Sequence, residues 1–237
     1  MTPQRILLLH GLWLRGFTLH RLASRLRAAG FPTEMLDFGS VRDEPEQTIA
    51  RLCERLGDER LDGERLSGEP RRVGIVGHSL GGVLALEALR RHPELPVTRV
   101  VCLGSPLRGS RVAARLANTP AAPWMLGHSA RLLREGVPPW QGRAEVGVLA
   151  GCTRFGLGTV LARLPAPHDG TVCAEETRLG GIADHAEVRT THTGLLFSRE
   201  AAMQTVQFLR TGRFQHGAPG ASVPSGTRAG QSAAQEL

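Results

Sequence analysis

RVGIVGHSLGGVLALEALR, residues 72–90, decides the fold. Its first part, Val73 to Val76, is a short apolar run of the kind that fills the centre of a parallel sheet. Its second part, Gly82 to Arg91, carries apolar residues at helical spacing. Between them stands Gly77-His78-Ser79-Leu80-Gly81-Gly82, a G-x-S-x-G pattern in strand-turn-helix context. A strand that reverses directly into a helix strains the middle residue and projects its side chain above the sheet edge. Glycines two positions before and after it remove the Cβ atoms that would otherwise collide across the turn. The helix that begins there aims free amides and its positive dipole end at the same place, where an anionic intermediate would be stabilised. An N-capping serine in a plain Gly-rich turn is the alternative, as is a phosphate cradle. The phosphate reading lacks both the GK[ST] ending of a P-loop and the G-x-G-x-x-G of a dinucleotide fold. Ser79 therefore reads as a nucleophile, provided the chain supplies partners for it.

Outward from this turn, buried-strand runs alternate with amphipathic stretches, which predicts an α/β fold: a mostly parallel sheet with helices on both faces. Strands are expected at Arg5 to Leu9, Thr33 to Phe38, Arg72 to Val76, Arg99 to Leu103, Glu145 to Ala150 and Glu187 to Thr191. Helices are expected at Leu19 to Ala29, Glu46 to Leu56, Gly82 to Arg91 and Arg199 to Leu209. From Pro106 to Gly142 the period is lost and Pro120, Pro123, Pro138 and Pro139 interrupt the chain, so residues 106–142 read as a small cap excursion, helical in parts. Residues 1–214 form one domain on this reading. Residues 215–237, rich in Gly, Ala, Ser and Pro, read as a disordered tail that buries too little apolar surface to offset ordering.

Composition narrows the function classes. A chain of 237 residues fits one medium domain. The net charge of +7 invites a nucleic-acid reading, but all 29 basic residues are Arg and there is no Tyr. The arginines are scattered among acids, as in Arg51, Glu54, Arg55, Asp58, Glu59 and Arg60, which builds a solvated helix face. No binding motif accompanies the charge, so no nucleic-acid partner is expected. Cys53, Cys102, Cys152 and Cys173 form no CxxC pair and no metal-ligand spacing, and read as reduced thiols. The apolar run Ile6 to Leu9 is cut at His10 and Gly11, too short for a signal peptide, and no stretch is long enough to span a bilayer. A cytoplasmic protein without stable membrane insertion is the expectation.

A serine hydroxyl at neutral pH needs an imidazole to take its proton and an acid to orient that imidazole. With a strand-turn-helix nucleophile, the partners follow in the order Ser, Asp or Glu, His, on loops at the carboxyl ends of strands. That order filters the nine histidines. His92 ends the turn's own helix, His128 sits in the excursion, and His216 lies in the tail. His185 precedes the last strand, whereas His192 follows it, so His192 is the expected base; an exposed loop histidine is the alternative. Asp169, in His168-Asp169-Gly170-Thr171-Val172, is the expected acid, although Asp-Gly is also a common turn. Asp184 competes from the wrong end of the last strand, and Glu175 and Glu176 are weaker alternatives.

The loop after the first strand, His10-Gly11-Leu12-Trp13, is the place for a second oxyanion donor. Gly11 lets the backbone close on the site, and the amide of Leu12 is expected to act beside that of Leu80; one such donor is worth about a hundred- to a thousandfold in turnover. His10 reads as a brace for this loop rather than a base. Trp13, Trp124 and Trp140, the chain's tryptophans, fall in segments expected above the strand ends, where they would line an acyl pocket as substrate-binding residues. Plain packing under a loop is the alternative for each.

The segments LLLHGLW, VGIVGHSLGG, LGSPLRGS, HDGTV and THTGLLFS, in that order, resemble the α/β-hydrolase superfamily, in particular compact bacterial lipases and esterases, over residues 5 to about 210. The resemblance implies the α/β-hydrolase fold, a Ser79, Asp169, His192 triad, and cleavage of small-molecule or lipid esters through an acyl-enzyme without metal or organic cofactor. Related lipases often carry a His where this chain has Leu107, and the excursion is too short for a large lid, so carboxylesterase activity is favoured over triacylglycerol hydrolysis. An acyltransferase or thioesterase would use the same three residues. A silent binding protein on the same scaffold would have no physical need for a strained turn. Oligomeric state is left open.

Overall fold

The computed structural model describes residues 5–58, 72–155 and 164–216. Six strands, β1 (Arg5–Leu9), β2 (Thr33–Leu36), β3 (Val73–His78), β4 (Val97–Leu103), β5 (Glu145–Gly151) and β6 (Asp184–Val188), form one sheet in the order β2-β1-β3-β4-β5-β6. Every adjacent pair is parallel, so all strands end at the same rim. The apolar sequences explain this arrangement. β1 is buried at all five residues and β3 at all six, as expected of strands covered on both faces.

Side-chain alternation divides the core in two. Ile6, Leu8, Val76, Val101 and Leu149 face α1 (His20–Ala28) and the C-terminal helix, packing with Leu22, Leu26, Phe208 and Leu209. Leu7, Leu9, Ile75, Val100 and Val148 face the other way, against α2 (Pro45–Gly57) and α3 (Leu80–Arg91) through Leu52, Leu56, Val83 and Leu86. Between β4 and β5 the chain forms α4 (Arg111–Ala117), α5 (Ala122–Met125), a short 3-10 turn (Gly127–Ser129) and α6 (Ala130–Glu135). Leu107, Leu116, Leu126 and Leu133 of this excursion belong to the same buried cluster as α3, so it is a continuation of the core rather than a detached lid. A further short helix, α7 (Ala174–Thr177), follows residue 173, and α8 (Arg199–Thr211) closes the described chain.

Several boundaries shift by a residue or two from expectation, and two shifts have a clear physical cause. The last strand lies at Asp184–Val188 rather than 187–191, because β6 is an edge strand, pairs with β5 alone, and tolerates polar Asp184, His185 and Glu187. The chain then turns away, with the Thr190 amide bonded to the Val188 carbonyl. Gln215 and His216, placed in the tail by composition, are bound to Gln204 and to Asp184 respectively. Residues 59–71, 156–163 and 217–237 lie outside the described residues. No helix among the described residues is long and apolar enough to cross a membrane.

Candidate active site

The carboxyl rim of the sheet gathers the expected residues. Ser79 stands between β3 and α3 with φ 53° and ψ −120°, one of two non-glycine residues at positive φ among those described. The flanking glycines are required there: a Cβ on Gly77 would meet the Gly82 amide at 2.5 Å, and one on Gly81 would meet the Leu9 and His10 carbonyls at 2.7 Å. Side chains at these positions would open the turn, and the strain at Ser79 is held by packing on both sides.

Asp169 sits in the loop leading to α7, and its Oδ1 accepts from the amides of Thr171 (2.9 Å) and Val172 (2.8 Å). That leaves Oδ2 free to accept from His192 Nδ1 at 2.7 Å. A carboxylate only accepts here, so Nδ1 carries a proton, and in the neutral ring this leaves Nε2 as the lone-pair nitrogen. Burial on its own would raise the Asp169 pKa, but the His192 imidazole and the two amides outweigh it and hold the carboxyl below its ordinary value. The residue immediately after β4, Gly104, passes this pair at φ 59°, where a Cβ would come within 3.1 Å of Nδ1 and 3.2 Å of Oδ2. Ser79 and His192 line one cavity; among the described residues no hydrogen bond joins them.

The loop after β1 closes on the turn from the other side. A Cβ on Gly11 would meet Ser79 Cβ at 3.0 Å. The Leu12 amide donates to no protein acceptor among the described residues, and Leu80 opens α3, in the turn whose amides lack helical partners. His10 braces the loop: its Nδ1 donates to the Gly11 carbonyl (2.9 Å), its Nε2 accepts from the Phe38 amide (3.2 Å), and its ring stacks on Phe38. Burial lowers its pKa, in keeping with this neutral bonding pattern.

A model of the alpha/beta hydrolase family matches residues 6–228. The chain belongs to this family. No curated protein matches its sequence significantly. Among solved structures, this chain is similar to the lipase BlEst2 of Bacillus licheniformis. The mature form is 21% identical with a TM-score of 0.70, covering 89% of this chain and 92% of that one. The propeptide form gives 20% and 0.72, covering 93% of this chain and 52% of that one, so the chain spans about half its length. A metagenomic carboxyl esterase is 17% identical with a TM-score of 0.60, covering 90% and 75% of the two chains. Likenesses of this degree show the fold.

A cavity of about 470 Å³ lies between the rim and the excursion. Leu12, Trp13, Val112, Leu116, Leu126, Leu133 and Phe155 supply apolar wall, and Thr171, Thr191 and Thr193 supply hydroxyls near His192. No Asp, Glu or Arg lines it among the described residues. Of the three tryptophans, Trp13 alone borders it. Trp140 is buried in the core, its Nε1 donating to the Ala144 carbonyl at 2.9 Å; it precedes β5 and so lies at the amino rim, opposite the site. Trp124 is 85% exposed, because the chain turns Leu126, just after α5, toward the core instead. Asp184 and His185 stand at the amino end of β6, away from the site, with His185 Nε2 bonded to Thr177 Oγ1 at 2.8 Å.

Two residues at the rim escaped the sequence reading. Gly104 was visible only as part of LGSP. His78 lies inside the signature itself, is 2% exposed, and touches His192.

Proposed function

We propose that the protein hydrolyses carboxylic esters through an acyl-enzyme formed on Ser79, with His192 as general base and acid, Asp169 as its orienting carboxylate, and the amides of Leu12 and Leu80 as the oxyanion hole. The observation that carries this reading is the 2.7 Å bond from His192 Nδ1 to buried Asp169, with the strained Ser79 on the same cavity. His192 Nε2 takes the hydroxyl proton as Oγ attacks the carbonyl carbon. The tetrahedral oxyanion is met by the two amides, and the resulting imidazolium protonates the leaving alkoxide. Water, deprotonated by the same nitrogen, then releases the carboxylic acid and restores Ser79. Asp169 holds the imidazole in the tautomer this cycle needs and stabilises its charged form.

The uncharged, largely apolar wall supports a neutral ester with an apolar acyl group, and 470 Å³ falls within the range of small-ligand pockets. Turnover of aryl esters of increasing acyl length, with Ser79→Ala beside the wild type, tests the proposal. The expected loss in the variant is on the order of 10⁶-fold in kcat with the folded state intact. Retention of wild-type turnover would reject it. Product analysis with added alcohol or thiol acceptors tells hydrolysis from acyl transfer.

A further inference from the structure

His192 is held at three points. Its amide donates to the Asp169 carbonyl at 2.9 Å, and its Nδ1 donates to Asp169 Oδ2 at 2.7 Å. Its carbonyl oxygen lies 3.0 Å from His78 Nε2. Two anchors therefore come from the acid, and the third comes from the residue just before the nucleophile. We propose that His78 is a positioning residue: a neutral imidazole whose Nε2–H clamps the backbone of the base to the strand that carries Ser79. This rests on the assignment of Ser79 and His192 given above.

The bonding pattern fixes the tautomer. A carbonyl oxygen only accepts, so Nε2 carries the hydrogen, and a neutral ring then leaves Nδ1 as a bare acceptor. Nδ1 is buried and without a protein partner, and it faces Gly11, where a Cβ would come within 2.9 Å. A second proton there would sit as an orphaned donor beside the oxyanion loop. Burial, reinforced by the neighbouring His192, drives the His78 pKa down to about 3, so the ring stays neutral at any pH at which His192 works as a base. The titratable groups around it are His192, Asp169 and His10. The two rings lie 4.7 Å apart, so a charge on His78 would oppose the imidazolium that His192 becomes during turnover.

The clamp shortens the mechanical path between nucleophile and base. Ser79 and His192 come from loops after β3 and β6, with β4 and β5 between them in the sheet. Through His78 they are joined by one peptide unit, one imidazole and one hydrogen bond. A misplacement of about 1 Å between reacting groups costs on the order of a hundredfold in rate, so a direct link of this kind bears on kcat rather than on substrate binding.

Three substitutions separate the hydrogen bond from the ring. In His78→Gln the side-chain amide reaches the depth of Nε2 and keeps a donor there. In His78→Asn it stops at the depth of Nδ1, and His78→Phe keeps the ring without a donor. Each variant is measured as kcat and KM on an aryl ester, normalised to the fraction labelled by a fluorophosphonate. The expected result is that Asn and Phe lower kcat about 10- to 100-fold with KM within about twofold, while Gln stays within about fivefold of wild type. Equal kcat in all four proteins would overturn the clamp. So would equal losses in all three variants, since ring volume rather than the donor would then matter. If the wild type itself neither turns over the ester nor labels at Ser79, the functional assignment falls; if it does both and the variants show no such split, the clamp alone falls.

Discussion

Two tryptophans placed by sequence above the same cavity end at opposite rims of the sheet. Trp13 follows β1 and borders the cavity at half exposure, whereas Trp140 precedes β5 and is buried in the core. The two rims are built by different physics. At the amino rim, charge pairs pin the strands: Arg99 Nε meets Glu145 at 2.7 Å, and Arg5 Nη1 meets Glu34 at 3.4 Å. At the carboxyl rim, buried His10 and His78 are held by backbone amides and carbonyls, and Asp169 by two amides and the His192 imidazole, beside backbone at positive φ. In a parallel sheet, a side chain's role follows from whether it precedes or follows its strand, more than from its type.

Between the two rims, the largest expected effect comes from breaking the carboxyl one. Asp169→Asn removes the acceptor that fixes the His192 tautomer and is expected to lower kcat about 10⁴-fold with only a modest change in the urea midpoint. An activity within tenfold of wild type would place the orienting acid elsewhere.

The tryptophans sharpen the contrast directly. Trp140→Ala opens a hole in the core and is expected to lower stability by about 3–5 kcal/mol, with unchanged kcat per active site. Trp13→Ala is expected to raise KM several-fold for long acyl esters and to leave the urea midpoint near wild type. Exchange of these two phenotypes would contradict the placement of the rims.

The smallest effect is a pH dependence shared by both rims. Burial lowers the pKa of His185 to about 4 and of His78 to about 3, each from 6.5. As pH falls below about 6.5 the unfolded chain takes up these protons and the folded chain does not, so stability falls with acidification through pH 4. Asp169, with its carboxyl held below the usual value, acts in the same direction at lower pH. Urea midpoints measured from pH 7 to pH 4 are expected to decline, with a shallower slope in His185→Gln. A midpoint rising on acidification would contradict the burial of these rings.

Legibility in the sequence followed the same division. The turn at 77–82, β1 and the helix now seen at Arg199–Thr211 were readable, because strain and continuous apolar runs leave few alternatives. β6 was set three residues late, since its start is polar and the β-branched Thr190 and Thr191 beyond it look more like strand. Trp140 was misplaced because the irregular stretch before β5 shows in sequence where order is lost, but not where the chain crosses from one rim to the other. His78 carries no readable role within its motif, since its partner is a backbone carbonyl 114 residues away that no side-chain pattern marks.

The proposed cycle requires Ser79 to be activated as a nucleophile. Incubation of the folded protein with a fluorophosphonate, followed by peptide mapping by mass spectrometry, tests it most directly. One adduct per chain on the peptide containing Ser79, absent in Ser79→Ala and strongly slowed in His192→Ala, is the predicted result. No adduct, or one on another residue with Ser79 unmodified, would contradict the account.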